Sequence, residues 1–432
     1  MEWQGRMCIV SGSYQSIDSS VPKTVVELWC RAEDGHSVVL LVHGLRPYFD
    51  IAIPGAPSPE QDPDLDSVSG MSEVVEVSEP VMKWTRHGMK RHWRVYVNQP
   101  YSVRNLRKKL DNWEITSADI LFVNRLMLDL DLGPHISAGG RVLWAGERAP
   151  EVSKNDDNTS KVDSEKAIIT AGGAGLYPVD MVISCNLEDL EKTDTFPAPF
   201  VSFSFDLETS ISTNRILCAA AVVDRNGSRS EHEFMGSERE IMEGLTKLVR
   251  DEDPDFITGY NIDNFDLPRM QERSEVICPR PKIDRLPLFG WGRVPASDSE
   301  SKRVFPQRQQ NRVWRIVGRI PMDAWWQARQ TLRPQRETLR YVSQLLWPED
   351  HSKRKLDVDA SRMDEEWAER PEVVMEYCMM DTHLPLDILD RLKSVARKEA
   401  LASVSLTPVE MASNGTTSQW IDSLVIRLAD RS

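Results

Sequence analysis

Residues 201–208 read VSFSFDLE, a strict alternation. Val201, Phe203, Phe205 and Leu207 point one way, and Ser202, Ser204, Asp206 and Glu208 point the other. A strand of this period must bury its aromatic face under a covering layer, and it carries two carboxylates on the opposite face. Around it the pattern predicts strands at 216–223, 231–234, 255–259 and 313–320, with Asn226-Gly227 as a hairpin turn. Ser237 and Glu240 form a capping box that opens a helix, and further helices are predicted at 266–273, 323–330, 337–346 and 371–393. Pro371 suits a first helical turn. The order β-β-β-α-β-α-β-α implies an α/β (α+β) fold, a mixed sheet flanked by helices.

Acidic residues recur along this half. Asp206 and Glu208 end the first strand, Asp266 lies in GYNIDNFDLP at a helix start, and Asp381 lies in YCMMDTHLPL, one helical turn after Tyr377. Four carboxylates so spread can hold two divalent cations, Mg2+ or Mn2+, the arrangement that phosphodiester hydrolysis uses at neutral pH. A strand DxE or a helical YxxxD is common on surfaces. NxxNFD is more specific, and the conjunction of all three on successive elements points to a nuclease. His351 and His383 lack metal-ligand spacing, Asp323 reads as a helix cap, and Gly172–Gly175 does not follow a strand. No GxSxG, P-loop or HExxH occurs.

Composition narrows the partners. A formal net charge of −14 over 432 residues is not that of a protein coating nucleic acid through bulk charge. DNA contact must come from local basic patches or from bound metal. Six cysteines without a CxxC pair read as reduced, buried thiols, and no apolar run reaches membrane-spanning length. A cytoplasmic protein without membrane contact is expected.

Residues 1–145 read as a separate α+β domain, with strands at 25–29, 38–42, 74–77 and 93–97 and a basic helix at 103–110. A polar connecting segment is expected over 146–195, the nuclease domain over 196–395, and a final connecting part over 396–432 with one amphipathic helix at 417–429.

FDLE, YNIDNFD and YCMMD resemble the three exonuclease motifs of family B DNA polymerases, above all the archaeal ones. Tyr377, four before Asp381, is similar to the tyrosine subclass of that superfamily, and GRIPMDAWWQARQTL resembles the strand and helix between its second and third motifs. The resemblance implies a ribonuclease H-like fold and a 3′–5′ proofreading exonuclease. Asp206, Glu208 and Asp381 would hold the first metal, and Asp206 and Asp266 the second. Tyr377 and Glu208 would orient the water. Asn261, Asn264 and Phe265 would contact the terminal nucleotides of a single-stranded or frayed 3′ end. LRPYFDI, VNQPYSVRNLRKKL and DILFVNRLMLDLDL resemble N-terminal segments that, in archaeal members, capture uracil in the template strand. By position Pro47, Tyr48, Phe49, Val103 and Arg125 would line that pocket. No segment resembles the polymerase motifs themselves. The expectation is therefore a chain that does not extend a primer alone, as a truncated product or one subunit of a split polymerase. Its partners would be DNA, a separate polymerase subunit and a sliding clamp. The rival reading is a non-catalytic DNA- and uracil-binding docking subunit.

Overall fold

The computed structural model describes residues 2–17, 23–53, 65–85, 87–146, 177–278, 287–295, 303, 306–309, 313–350 and 358–431. Gly172–Gly175, His351 and most of the expected polar segment lie outside them.

The chain opens with β1 (Glu2–Ile17), β2 (Lys23–Ala32) and β3 (Ser37–His43), joined antiparallel. A small second sheet follows, from β4 (Tyr48–Ala52), β5 (Val74–Val77), β6 (Val81–Thr85), β7 (Gly88–Val97) and β8 (Ile115–Thr116), with the helices α1 (Leu65–Ser69), α2 (Pro100–Lys109) and α3 (Phe122–Asp129). The chain then returns to the first sheet as β9 (His135–Ala145), β10 (Met181–Asn186) and β11 (Leu190–Lys192). Residues 181–186 and 190–192 fall in the expected connecting segment, yet they are strands of the first sheet. The first half of β1 pairs with β9 and its second half with β2, across a bulge between Ile9 and Ser11. The β1–β9 pairing closes β1-β2-β3-β10-β9 into a ring, which leaves those strands no open edge.

The second half is built on β12 (Val201–Thr209), β13 (Ile216–Arg225), β14 (Ser228–Met235), α4 (Glu238–Glu252), β15 (Phe256–Thr258), α5 (Asp266–Ile277), β16 (Gln307–Arg308), β17 (Trp314–Arg315) and β18 (Ile320–Pro321). Five helices complete it in sequence: α6 (Ala324–Leu332), α7 (Leu339–Leu346), α8 (Met363–Glu369), α9 (Pro371–Arg391) and α10 (Ser394–Ser405). Strand order is β14-β13-β12-β15-β18, with β15 and β18 running parallel to β12 and the other pairs antiparallel. The expected strand at 313–320 is two short strands. At Gly318 (φ +80°) the chain turns where a Cβ would strike Arg293 and Trp29. The tail also differs from the single expected helix: α10 precedes α11 (Val409–Asn414) and α12 (Thr417–Arg431).

The alternation of β12 is realised. Phe203 and Phe205 sit in a core with Ile241, Leu245 and Trp291, under α4. On the other face α9 lies across β12 and β13. It fits closely because Asp206 is paired with Ala220 and Glu208 with Cys218, both small. Val374, Met375 and Cys378 of α9 pack on those two small residues.

Candidate active site

β12 delivers Asp206 and Glu208 towards α9, with Glu208 buried and Asp206 half-buried. Cys378 fixes the helix over them, its Sγ lying 3.5 Å from the Asp206 carbonyl oxygen. Ligand atoms of Asp206, Glu208 and Cys378 all lie within 4.8 Å of one another. Burial, the neighbouring Cys218 and the charges of Asp206 and Glu208 push the Cys378 thiol well above its ordinary range. It is a neutral packing group beside two hard oxygen ligands. Tyr377 and Asp381, on the same helix, are both buried.

Asp266 reaches the site by a different route. β15 pairs parallel with β12, Ser204 opposite Thr258, and the chain then turns sharply over β12. Gly259 is required there, since a Cβ would lie 2.6 Å from the Phe205 carbonyl oxygen. Asn261 takes a left-handed φ of +69°, a conformation Asn tolerates well. Its carbonyl accepts from the amides of Asn264 (3.1 Å) and Phe265 (3.0 Å), and its Oδ1 accepts from Asn264 Nδ2 at 2.8 Å. This turn starts α5 with Asp266 as its first residue. The Asp266 carboxyl is buried. Burial, then the charges of Asp206 and Asp323, raise it well above the usual carboxylate range. Its Oδ1 is buried and has no hydrogen-bond partner among the described residues. Phe265 is 40% exposed at the rim, beside Asn264.

Asp323 does more than the expected capping. It caps α6 through the Trp325 amide (2.9 Å), and it also accepts from the amides of Asn261 (2.8 Å) and Asp263 (3.2 Å). It thus pins the turn that carries Asn261, Phe265 and Asp266. Burial raises its carboxyl to about 6 despite those donors, and burial with the Asp323 charge raises Asp263 to about 7. The sequence signal was present, an Asp directly after an apolar IPM run, but its acceptors' partners lie some 60 residues away in the chain.

The other expected residues are more scattered. His383 pairs with Glu231 at the surface. Phe49 and Val103 lie in the apolar core of the second sheet. Tyr48, on the opposite face of β4, has the guanidiniums of Arg94 and Arg125 each 3.9 Å from its ring and donates to Asp129 at 2.8 Å. Pro47 is buried before them, its carbonyl accepting from Val97. Phe49 and Val103 thus lie on one side of β4, and Tyr48 with Arg125 on the other. Five of the six cysteines are buried, Cys278 is half-buried, and none is in a disulfide. Among the described residues no helix is long and apolar enough to cross a membrane.

The cluster suits oxygen-preferring divalent cations: the carboxylates of Asp206 and Glu208 converge, Asp266 feels the charge of Asp206, its buried Oδ1 lacks a donor, and no arginine or lysine is among the charges that shift it.

Comparison with known proteins points the same way. Residues 229–342 match the family model described as DNA polymerase family B, exonuclease domain. That span includes Asp266 and Asp323, while Asp206, Glu208, Tyr377 and Asp381 lie outside it. The DNA polymerase delta catalytic subunit of Arabidopsis thaliana is 25% identical over 93% of this chain and 40% of its own length. That of Plasmodium falciparum is 30% identical over 40% of this chain and 16% of its own length. The family B DNA polymerase of the archaeon Pyrobaculum calidifontis superposes with a TM-score of 0.69 at 21% identity, over 99% of this chain and 50% of that one. The chain spans about 40% of the length of the Arabidopsis thaliana and Glycine max relatives.

Proposed function

We propose that this chain, whose N-terminal and exonuclease regions are those of a family B DNA polymerase, is a metal-dependent 3′–5′ exonuclease acting on single-stranded or frayed DNA ends. One observation carries the reading. Asp206 and Glu208 lie side by side on the face of β12 that α9, the helix bearing Tyr377 and Asp381, covers, and the buried Asp266 is close enough to feel the charge of Asp206.

Asp206, Glu208, Asp266 and Asp381 would hold two divalent ions, Mg2+ or Mn2+. Bound there, the ions would lower the pKa of a water and stabilise the charge developing on the leaving 3′ oxygen. Tyr377 and Glu208 would orient the attacking water. Phe265 would stack on a terminal base, and Asn261 and Asn264 would hold the adjoining backbone. Selection of mismatched ends would follow from fraying, because an unpaired end costs less to bring into the site. The polymerase part of the family, in the same chain or as a separate subunit, and a sliding clamp are the proposed partners, with residues 1–145 lying along the template. A docking role without catalysis leaves the converging buried acids without a purpose.

The test is digestion of a 5′-labelled single strand. We expect a ladder shortening from the 3′ end in Mg2+ or Mn2+, abolished by EDTA and in Asp206→Ala. Robust digestion by Asp206→Ala would sink the site assignment, and shortening from the 5′ end would sink the polarity.

A further inference from the structure

A second group of metal-ligand types lies away from the acids, where the N-terminal ring meets the C-terminal helices. Cys8 of β1 and His135 of β9 are cross-strand partners in register. Glu399 comes from α10. The Cys8 Sγ, a ring nitrogen of His135 and a carboxylate oxygen of Glu399 all lie within 4.8 Å of one another. Cys8 and His135 are buried, and the Glu399 side chain is 17% exposed.

His135 has a neighbour at each ring nitrogen. Ser403 Oγ donates to the Glu399 carbonyl oxygen at 3.0 Å and lies 3.5 Å from His135 Nδ1. Nε2 faces Glu399 Oε1 at 3.1 Å, and the same oxygen accepts from the Ala198 amide at 3.1 Å. With its proton on Nε2 the ring donates to the carboxylate. With its proton on Nδ1, towards Ser403, it turns a lone pair to the carboxylate and the buried thiol, the arrangement that a cation among the three groups requires. Thiolate, imidazole and carboxylate together are a borderline-soft donor set that suits Zn2+. Burial and the Glu399 charge raise the Cys8 thiol, as burial raises Cys378, so the ion itself would displace its proton; what sets Cys8 apart is the imidazole beside it. Tetrahedral zinc with bonds of about 2.0–2.3 Å sets its ligands about 3.4–3.6 Å apart, a small rearrangement from the separations here. Ser403 would be the outer partner that fixes the imidazole tautomer.

We propose that Cys8, His135 and Glu399 form a Zn2+ site that ties β1 and β9 of the N-terminal ring to α10. Three protein ligands leave a fourth position to water, reachable from the partly exposed Glu399 side. Because α10 follows directly on α9, the ion would stiffen the joint between the ring and the helix that carries Tyr377 and Asp381.

Cobalt reports the thiolate directly. The whole chain, stripped with chelator and titrated with Co2+, should develop a thiolate-to-cobalt charge-transfer band in the near ultraviolet. Zn2+ should displace it at one equivalent. The band should vanish in Cys8→Ser and persist in Cys378→Ser, which separates this site from the thiol beside Asp206 and Glu208. Ser403→Ala should weaken Zn2+ binding about 10–100-fold, as loss of an outer partner does. Should Cys8→Ser fail to fold, Glu399→Gln serves, since it keeps the thiol: Zn2+ should raise the melting temperature of the parent chain and not of this variant. Absence of the band, its survival in Cys8→Ser, or an equal zinc shift in Glu399→Gln would overturn the site and leave His135–Glu399 as a hydrogen-bonded pair.

Discussion

The parallel strands β15 and β18 carry buried carboxylates at both ends, and the two ends are built on opposite electrostatic plans. Before the strands lie Asp253 and Asp255, closed in by arginines. Arg31 meets Asp255 at 2.8 Å, Arg293 meets Asp253 at 2.6 Å and Asp255 at 3.0 Å, and Arg319 meets Asp253 at 2.7 Å. After the strands lie Asp266 and Asp323, with Asp206 as the charged neighbour of Asp266. Burial acts to raise the carboxyls of Asp253, Asp266 and Asp323. At Asp253 the charges of Arg293, Arg319 and Arg31 outweigh it and hold the group well below the usual range. At Asp266 the neighbouring charges add to it. A buried acid with its counter-charge supplied by the fold is structural, and one left to find its counter-charge elsewhere is suited to a cation. The site lies at the carboxyl ends of the parallel strands, where loops can be shaped without disturbing the sheet.

Exchanging the roles of the two ends breaks this contrast most strongly. Asp255→Ala takes from the buried Arg31 its carboxylate partner, from the buried Arg293 one of its two, and from the Val201 amide its acceptor. Loss of one partner of a buried pair costs about 3–5 kcal/mol, so denaturant melts should show a drop of that order with nuclease activity kept in the folded fraction. Asp266→Ala should do the reverse. DNA digestion should fall by more than about a hundredfold, since residues one shell out from a metal already contribute 10–100-fold. Stability without metal should hold or rise, because a strained acid is removed. Phe265→Ala should sharpen the picture at the rim. An exposed ring that stacks on a base is worth about 1–3 kcal/mol, so binding of a single strand in EDTA should weaken about tenfold with no change in melting temperature. The smallest effect is in pH. Asp263 is raised to about 7, above the unfolded value near 4, so the folded chain holds its proton longer and stability falls as pH rises between the two. Asp263→Asn should flatten the decline in melting temperature between about pH 4 and 7 by a few degrees. Asp253 has the opposite sign: its contribution is present above the unfolded value and is lost as pH falls below it. A decline unaffected by Asp263→Asn would remove that residue from the contrast.

Local features were legible because their physics is local. The Ser237–Glu240 capping box, the turn at Asn226-Gly227 and the two-faced strand read at 201–208 stand, the last extended by Thr209. The ring was not. β1 shows no clean alternation because it serves two partners across a bulge, and β10 pairs with β3 more than 130 positions earlier. The strand expected at 313–320 breaks because Gly318 meets Arg293 and Trp29, contacts no window of sequence contains. Asp323 was readable as a cap and not as the anchor of the turn at Asn261, since that turn reaches it only once β15 and β18 lie side by side.

By itself the sequence determined which residues could do the chemistry: carboxylates at strand and helix positions whose periodicity sets the face they occupy. Tertiary structure alone decided which buried acids meet an arginine and which do not. Asp255 and Asp266 are eleven residues apart and both are almost wholly buried. Their different characters come from Arg31, Arg293 and Arg319, brought to one end of β15 from distant parts of the chain. Charge interactions depend on distance in space, and in a dry interior a few ångströms outweigh any pattern along the chain.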